Sequence, residues 1–196
     1  MKLLTIKSSI LICLLFAVIA VGAQTNLLLN PNADSKAENW RVSGQATVEE
    51  FDGDKVFVVR NQGSFSQDVD LTKSDIGKFA LLIGRGSSEQ INADGAITGL
   101  PYLYGYMMDS SNPKGSRIYD YLQGQQMRAR ASYQDEWVTM YGIFRVPEKT
   151  GAIRFYLNQA ERKYVPQNGS AARFDNLGLY LFETEEDALQ FVKTYK

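Results

Sequence analysis

Tyr102, Tyr104 and Tyr106 are spaced i, i+2, i+4 in a stretch that reads as a strand, Tyr102–Asp109, so one strand face presents all three rings. Tyrosine offers a flat apolar face and a hydroxyl together. The same alternation recurs downstream. Val138, Met140, Phe144 and Val146 read as a core side, which turns Tyr141 outward with Thr139 and Arg145. Ile153, Phe155 and Leu157 leave Arg154, Tyr156 and Asn158 on the opposite face. Arg117, Tyr119, Tyr121 and Gln123 form a further mixed face. If these strands are neighbours, one sheet face joins Tyr, Arg, Asn and Gln. Sugars suit such a face, because their C–H faces pack on rings and their hydroxyls need fixed polar partners. The competing reading is structural: tyrosine favours half-buried strand positions anyway, and a terminal helix lying across the face would close it.

Other chemistries are excluded by what is missing. The chain of 196 residues has no histidine and a single cysteine, Cys13. That removes Cys/His zinc sites, Ser-His-Asp and Cys-His constellations, and a histidine pH switch. Carboxylates remain. Glu49, Glu50, Asp52 and Asp54 cluster near one hairpin, and Asp135 and Glu136 are adjacent. Glycoside hydrolysis needs two carboxylates across a cleft at a defined separation, and hairpin acids are ordinarily solvated charges. The reading is therefore not an enzyme. The formal charge of −1 and the absence of a basic patch argue against nucleic acid as a partner.

The elements that position the tyrosines follow from pattern. Lys2 and Lys7, the short apolar run Ile10–Val21 and the small residues Val21-Gly22-Ala23 read as a secretory signal peptide over 1–23. The expectation is a secreted or periplasmic protein, free of the membrane after cleavage, with residues 24–196 as a single domain. Asn26–Asn30 reads as a first strand, and Trp40 as a plug at one end of the core. Ala46–Phe51 and Val56–Arg60 flank Asp52-Gly53-Asp54, a hairpin signal. Ser64–Leu71, Lys78–Gly84, Tyr102–Asp109, Arg117–Gln123, Trp137–Val146 and Ala152–Asn158 follow as strands, with Arg85–Gly99, Ser110–Ser116 and Glu161–Ser170 as loops. Asn168-Gly169-Ser170 is a glycosylation sequon. The closing strand lies in Gly169–Phe182, where Leu177, Leu179 and Leu181 alternate and Phe174 is out of phase with them. One extra residue at Asp175–Asn176, a β-bulge, restores the phase and makes Asp175 a candidate cation ligand. Thr184–Tyr195 is one clear helix, with Ala188, Phe191, Val192 and Tyr195 as its apolar stripe. Many short strands and one terminal helix predict an all-β fold, an antiparallel β-sandwich of jelly-roll form. The Cys…Trp…Cys core of immunoglobulin domains is absent.

Asn26-Leu27-Leu28-Leu29-Asn30-Pro31 followed by Trp40, then Ser64-Phe65-Ser66-Gln67-Asp68-Val69, Trp137–Pro147, and Phe174-Asp175-Asn176-Leu177-Gly178-Leu179-Tyr180 occur in an order that resembles galactose-binding-like jelly rolls. The resemblance is to carbohydrate-binding modules attached to bacterial xylanases and cellulases, and also to the sugar-binding domains of F-box proteins. It implies a non-catalytic module that binds an oligo- or polysaccharide, and the strand facing makes Tyr102, Tyr104, Tyr106, Tyr141, Arg154, Tyr156 and Asn158 the candidate ligand-binding residues. It also implies a structural calcium ion between the first and last strands, held by Asp34 and Asp175. The alternatives are a secreted protein-interaction or adhesion domain and, third, a glycan-acting hydrolase.

Overall fold

The computed structural model describes residues 24–88, 90–91, 97–98, 100–112, 136–159 and 171–195. The strand expected at Arg117–Gln123, the sequon and most of the two later loops lie outside these. The strands are β1 (Arg41–Phe51), β2 (Asp54–Asp70), β3 (Phe79–Ser88), β4 (Gln90–Ile91), β5 (Ile97–Thr98), β6 (Pro101–Asp109), β7 (Val138–Arg145), β8 (Thr150–Gln159) and β9 (Ala172–Phe182), followed by helix α1 (Glu185–Thr194). The seven-stranded sheet is antiparallel, in the order β6-β8-β2-β9-β3-β7, with β1 also paired to β2. It curves until it is nearly closed, as a β-sandwich does, and one helix ends it.

β2 makes this geometry. Its second half, Ser64–Asp70, pairs with β8, and Phe57–Val59 pair with β9. One strand therefore belongs to both layers. It turns between them at Asn61 and Gln62, both at positive φ (43° and 66°). Gly63 sits in the bend, where a Cβ would meet the Gln45 carbonyl at 2.5 Å, so only glycine lets β1 close on β2 here. Val56–Arg60 and Ser64–Leu71 are thus parts of one bent strand rather than two strands.

The core lies between the layers. Phe57, Phe65, Phe155, Phe174, Leu82 and Leu179 are fully buried, each side chain contributing about 1.5–3 kcal/mol. Trp40 plugs one end as expected, its ring 5.0 Å from Phe57 and 6.0 Å from Phe155, and its Nε1–H donates to the Asn30 carbonyl at 3.1 Å. The bulge in β9 is present. Ile83 opposes Gly178 and Arg85 opposes Asp175, so Asn176 and Leu177 together face Gly84. Asn176 is left-handed at φ 49°. The extra residue brings Phe174, Leu177, Leu179 and Leu181 to the same core.

Two further expectations change. Asn26–Asn30 forms no regular strand. The Leu27 N–H donates to the Leu179 carbonyl at 2.9 Å, and the Asn26 side chain does the rest. Its amide donates to the Leu177 carbonyl at 2.8 Å and accepts from the Leu179 N–H at 3.1 Å. A side-chain amide replaces a ladder beside the bulge, where backbone spacing is broken. The Lys78–Gly84 strand, in turn, continues to Ser88, because Arg85, Gly86, Ser87 and Ser88 keep pairing with β9.

α1 covers the outer face of the β9-β3-β7 layer. Ala188, Phe191, Val192 and Tyr195 pack against Leu81, Ile83, Tyr180 and Phe182. Thr184 caps it, accepting from the Asp187 N–H at 3.1 Å.

Candidate ligand-binding face

The outer face of the other layer is built by β6, β8, the second half of β2 and the start of β1. Register sets its rows. Tyr104 opposes Tyr156, Tyr102 opposes Asn158 and Tyr106 opposes Arg154. Ser66 then opposes Tyr156 and Asp68 opposes Arg154, while Arg41 opposes Ser66. Tyr102, Tyr104, Tyr106, Arg154, Tyr156 and Asn158 are therefore brought onto one face.

The rings do not lie flat as a platform for sugar. Tyr104 is parallel to Tyr156 at 4.8 Å and 2°, and stacks on Tyr102 at 5.1 Å and 23°. Tyr106 stands perpendicular to both Tyr104 and Tyr156, at 5.7 and 5.6 Å. Directly opposed strand positions put Cβ atoms about 4.5–5.5 Å apart, which is stacking distance, so the rings pack on one another. Tyr102 is buried, and Tyr104, Tyr106 and Tyr156 are half-buried.

Beside the stack is an ion network that the sequence did not single out. Arg154 grips Asp68 with two bonds, Nε to Oδ1 at 2.6 Å and Nη2 to Oδ2 at 3.0 Å. Arg41 Nη2 reaches the same Oδ1 at 2.6 Å, and its Nε approaches Ser66 Oγ at 3.4 Å. Burial works to raise the Asp68 pKa, but the bonds from Arg154 and Arg41 outweigh it and hold the carboxyl below its ordinary range. The bond to Asp68 likewise raises the Arg154 pKa. The Arg154 side chain is 14% exposed, Asp68 23% and Arg41 57%, so the network runs from half-buried to open. At its open end Arg41, Ser66, Asp68, Asp70, Leu27 and Leu29 line a cavity of about 380 Å³, within the usual size of ligand pockets. Buried Gln67 holds the far wall, accepting from the Leu29 N–H at 2.7 Å and donating to the Leu29 carbonyl at 3.0 Å. A signal for Asp68 was present in its outward parity with Ser64 and Ser66. Arg41 had none beyond following Trp40.

Tyr141 is elsewhere. It lies on β7, at the far end of the strand order from β6 and β8, and packs beneath α1 with Tyr180 and Phe182. Alternation gave its facing correctly, but three strands, β2, β9 and β3, separate it from Tyr156. The Arg117–Gln123 face lies outside the described residues. Asp135 lies outside the described residues, and of the hairpin carboxylates Glu49 is engaged by Arg60. Glu49 is held by both guanidinium nitrogens of Arg60, whose bonds set its pKa below the ordinary range.

The two aspartates assigned to calcium meet a different environment. Asp34 is exposed and Asp175 is half-buried on β9. Burial pushes the Asp175 carboxyl up, and the negative charges of Asp54 and Asp34 add to this against Arg85. Calcium takes six to eight oxygens. Among the described residues no three acidic side chains converge to share an ion, and the Asp34 carbonyl already accepts from Lys55 Nζ at 2.8 Å.

No known sequence family matches the chain. No curated protein matches it either. Solved structures do. The Family 16 Carbohydrate Binding Module-2 aligns with a TM-score of 0.54 and 18% identity, over 79% of this chain and 99% of that one. The CBM22-1 xylan-binding domain of Paenibacillus barcinonensis Xyn10C aligns at 0.54 and 14%, over 84% and 99%. The enzymatically active domain of tailspike protein 4 from bacteriophage CBA120 aligns at 0.55 and 14%, over 80% of this chain but 21% of that one, so this chain spans about a fifth of it. The chain has the jelly-roll fold of these carbohydrate-binding modules.

Proposed function

We propose that this chain is a non-catalytic module that binds oligo- or polysaccharide across the β6-β8-β2-β1 face. The observation that carries the reading is the continuity of three features: the Tyr104–Tyr156 stack, the Arg154–Asp68–Arg41 network and the cavity beside Arg41. Sugar hydroxyls need donors and acceptors fixed in place, and a carboxylate flanked by two guanidiniums offers both without a net change in hydrogen bonding. The half-buried tyrosines supply apolar surface alongside. The xylan-binding structural neighbour, and a Clostridium thermocellum xylanase CBM22-1 module solved with its catalytic module and xylohexaose, make β-linked plant polysaccharide the first ligand to try.

Glu49 is not poised as a general acid, because it is tied to Arg60 and its pKa is lowered, whereas a general acid needs it raised. Export to the periplasm or medium is part of the proposal. It rests on the Lys2/Lys7 start, the apolar run and the small residues before Gln24, and intact mass of the exported protein tests it. Titration calorimetry against xylan, xylohexaose and a set of other soluble glycans tests the ligand. Saturable binding that weakens in Tyr104→Ala and Arg41→Ala is the expected result. Binding to no glycan, with saturable binding to a protein, would replace this reading with an adhesion domain. Exposed Leu29 and Val42, at 59% and 48%, are where such a contact would centre.

A further inference from the structure

One edge of β2 runs on past the end of its partner strand. The Leu71 N–H donates to the Gly151 carbonyl at 2.9 Å, in step with the register that sets Val69 opposite Ile153 and Gln67 opposite Phe155. Main-chain groups of successive strand residues point to opposite sides. Those of Gln67, Val69 and Leu71 therefore point to β8, and those of Ser66, Asp68 and Asp70 point away from it. β1 meets that second edge only as far as Arg41, opposite Ser66. Among the described residues no main-chain hydrogen bond reaches Asp68 or Asp70 from that side. Their N–H donors and carbonyl acceptors open instead on the cavity of about 380 Å³ that Asn39, Arg41, Leu27 and Leu29 also line. An unpaired strand edge is a template for a partner that brings donors and acceptors of its own. The gap is too short for another strand, and sugar hydroxyls are donor and acceptor at once.

The cavity is closed on the side away from the tyrosines. Gln67 fixes that wall: besides its two bonds to the Leu29 main chain, its Nε2 donates to the Asn39 carbonyl at 3.3 Å. Ser66 lies directly opposite both Tyr156 and Arg41. A chain crossing the strands from the Tyr104–Tyr156 stack therefore passes over Ser66, meets Arg41 two strand spacings on, about 10 Å, and stops against Leu29. Arg41 spends Nη2 on Asp68 and Nε on Ser66, and among the described residues its Nη1 has no partner. We propose that this cavity takes the terminal sugar of a glycan chain, read by the main-chain edge of Asp68 and Asp70 together with Arg41. The inference rests on the glycan-binding reading above and adds where the bound chain ends.

Titration calorimetry of the full chain against linear glycans of known chain length tests this, with xylohexaose and debranched xylan first and then each other soluble glycan that binds. One protein per chain at every length, with affinity per chain unchanged from hexamer to polymer, is the expected result. Several proteins on each long chain overturn the inference and leave the glycan-binding reading standing, whereas binding to no glycan overturns both. Asp70→Pro tests the main-chain edge, because it removes an N–H on the open side of β2 where no ladder bond is lost. It should keep the native melting midpoint and weaken binding roughly fivefold, while Asp70→Ala, which keeps the N–H, should bind within about twofold of the native protein. Equal affinity in the two variants overturns the inference as well.

Discussion

The two outer faces of the sandwich begin alike and end differently. One carries Tyr102, Tyr104, Tyr106 and Tyr156. The other carries Tyr141 and Tyr180, with Tyr195 from α1. On the second face the rows between tyrosines are apolar: Leu81, Ile83, Ile143 and Phe182 invite a cover, and α1 supplies it. The Phe191 ring sits 4.6 Å from Tyr180 and 5.4 Å from Phe182. The Tyr195 hydroxyl donates to the Asn176 carbonyl at 2.6 Å, and burial raises the Tyr195 pKa. The other end of that face is roofed by Phe51 and Trp137, with rings 6.2 Å apart. Arg173 lies 3.8 Å from the Phe51 centroid and Arg85 5.4 Å from that of Trp137. On the first face the rows between tyrosines are Arg154, Asn158, Ser66 and Asp68, of which Arg154, Asp68 and Ser66 are joined sideways within the sheet surface with Arg41. The neighbours of a tyrosine, rather than the tyrosine itself, decide whether a helix covers its face or ligand chemistry gathers there.

Removing the cover should have the largest effect. Phe191→Ala deletes a half-buried ring from the helix–sheet seam and should cost about 2–3 kcal/mol. At about 2–4 °C per kcal/mol for a chain of this size, calorimetry should read a clear fall in midpoint. Glycan affinity should not change, since α1 packs on β3, β7 and β9. An equal loss of affinity would mean that the two faces are one mechanical unit. Tyr104→Ala is the converse. It removes the central ring of the stack and should weaken glycan binding by about 2 kcal/mol, roughly thirtyfold in Kd. Its midpoint should fall less than that of Phe191→Ala, and the reverse ranking would mean that the stack is packing rather than a site.

Acid separates the faces next, because their aspartates shift in opposite directions. Asp68 has a folded pKa below its unfolded value of about 3.9. Its stabilisation is fully present above that value and is lost as pH falls through the folded pKa. Asp68→Asn should therefore destabilise by about 1 kcal/mol at pH 7, with the difference closing in strong acid. Asp175 has a folded pKa above its unfolded value. Its charged form is disfavoured in the folded state, so stability rises as pH falls through the folded pKa towards the unfolded one. Asp175→Asn should stabilise the native protein at pH 7, with the gain vanishing below the unfolded pKa. Denaturant midpoints at pH 7 and in strong acid check both signs.

Much of this architecture is legible in single strands. Alternation at Leu177, Leu179 and Leu181, the phase break at Asn176, the facing of Val138–Val146 and of Ile153–Leu157, and the stripe on α1 are local patterns of period 2 or 3.6. What alternation does not carry is the neighbour of each strand. Tyr141 and Tyr156 have the same facing pattern and sit on different layers, because strand order arises from packing of the whole chain. The Asp68 network joins β1, β2 and β8 through partners 27 and 86 positions apart, and no window of sequence shows such a pair. Ring orientation is equally non-local. The Tyr104–Tyr156 stack needs the register of β6 on β8. The N-terminal segment misled for another reason: its apolar run reads as a strand, but Asn26 uses its side chain where a strand would use backbone.

The smallest effect is also the most discriminating, and it falls on Tyr141. From sequence it is equivalent to Tyr156: an outward tyrosine in a strong strand, two positions from a polar residue. In the structure its ring packs under α1 with Tyr180 and Phe182. Tyr141→Phe keeps that ring and removes only the hydroxyl, so packing is conserved and stability should move by no more than about 1 kcal/mol. Glycan affinity should not move at all. Tyr156→Phe makes the same chemical change on the other layer, beside Arg154, and should weaken binding by about 1 kcal/mol, roughly fivefold. Calorimetric titration of the two variants against the same oligosaccharide compares one hydroxyl on each layer. Equal losses would place ligand on both faces, and a loss confined to Tyr156 would place it on the β6-β8-β2-β1 face alone.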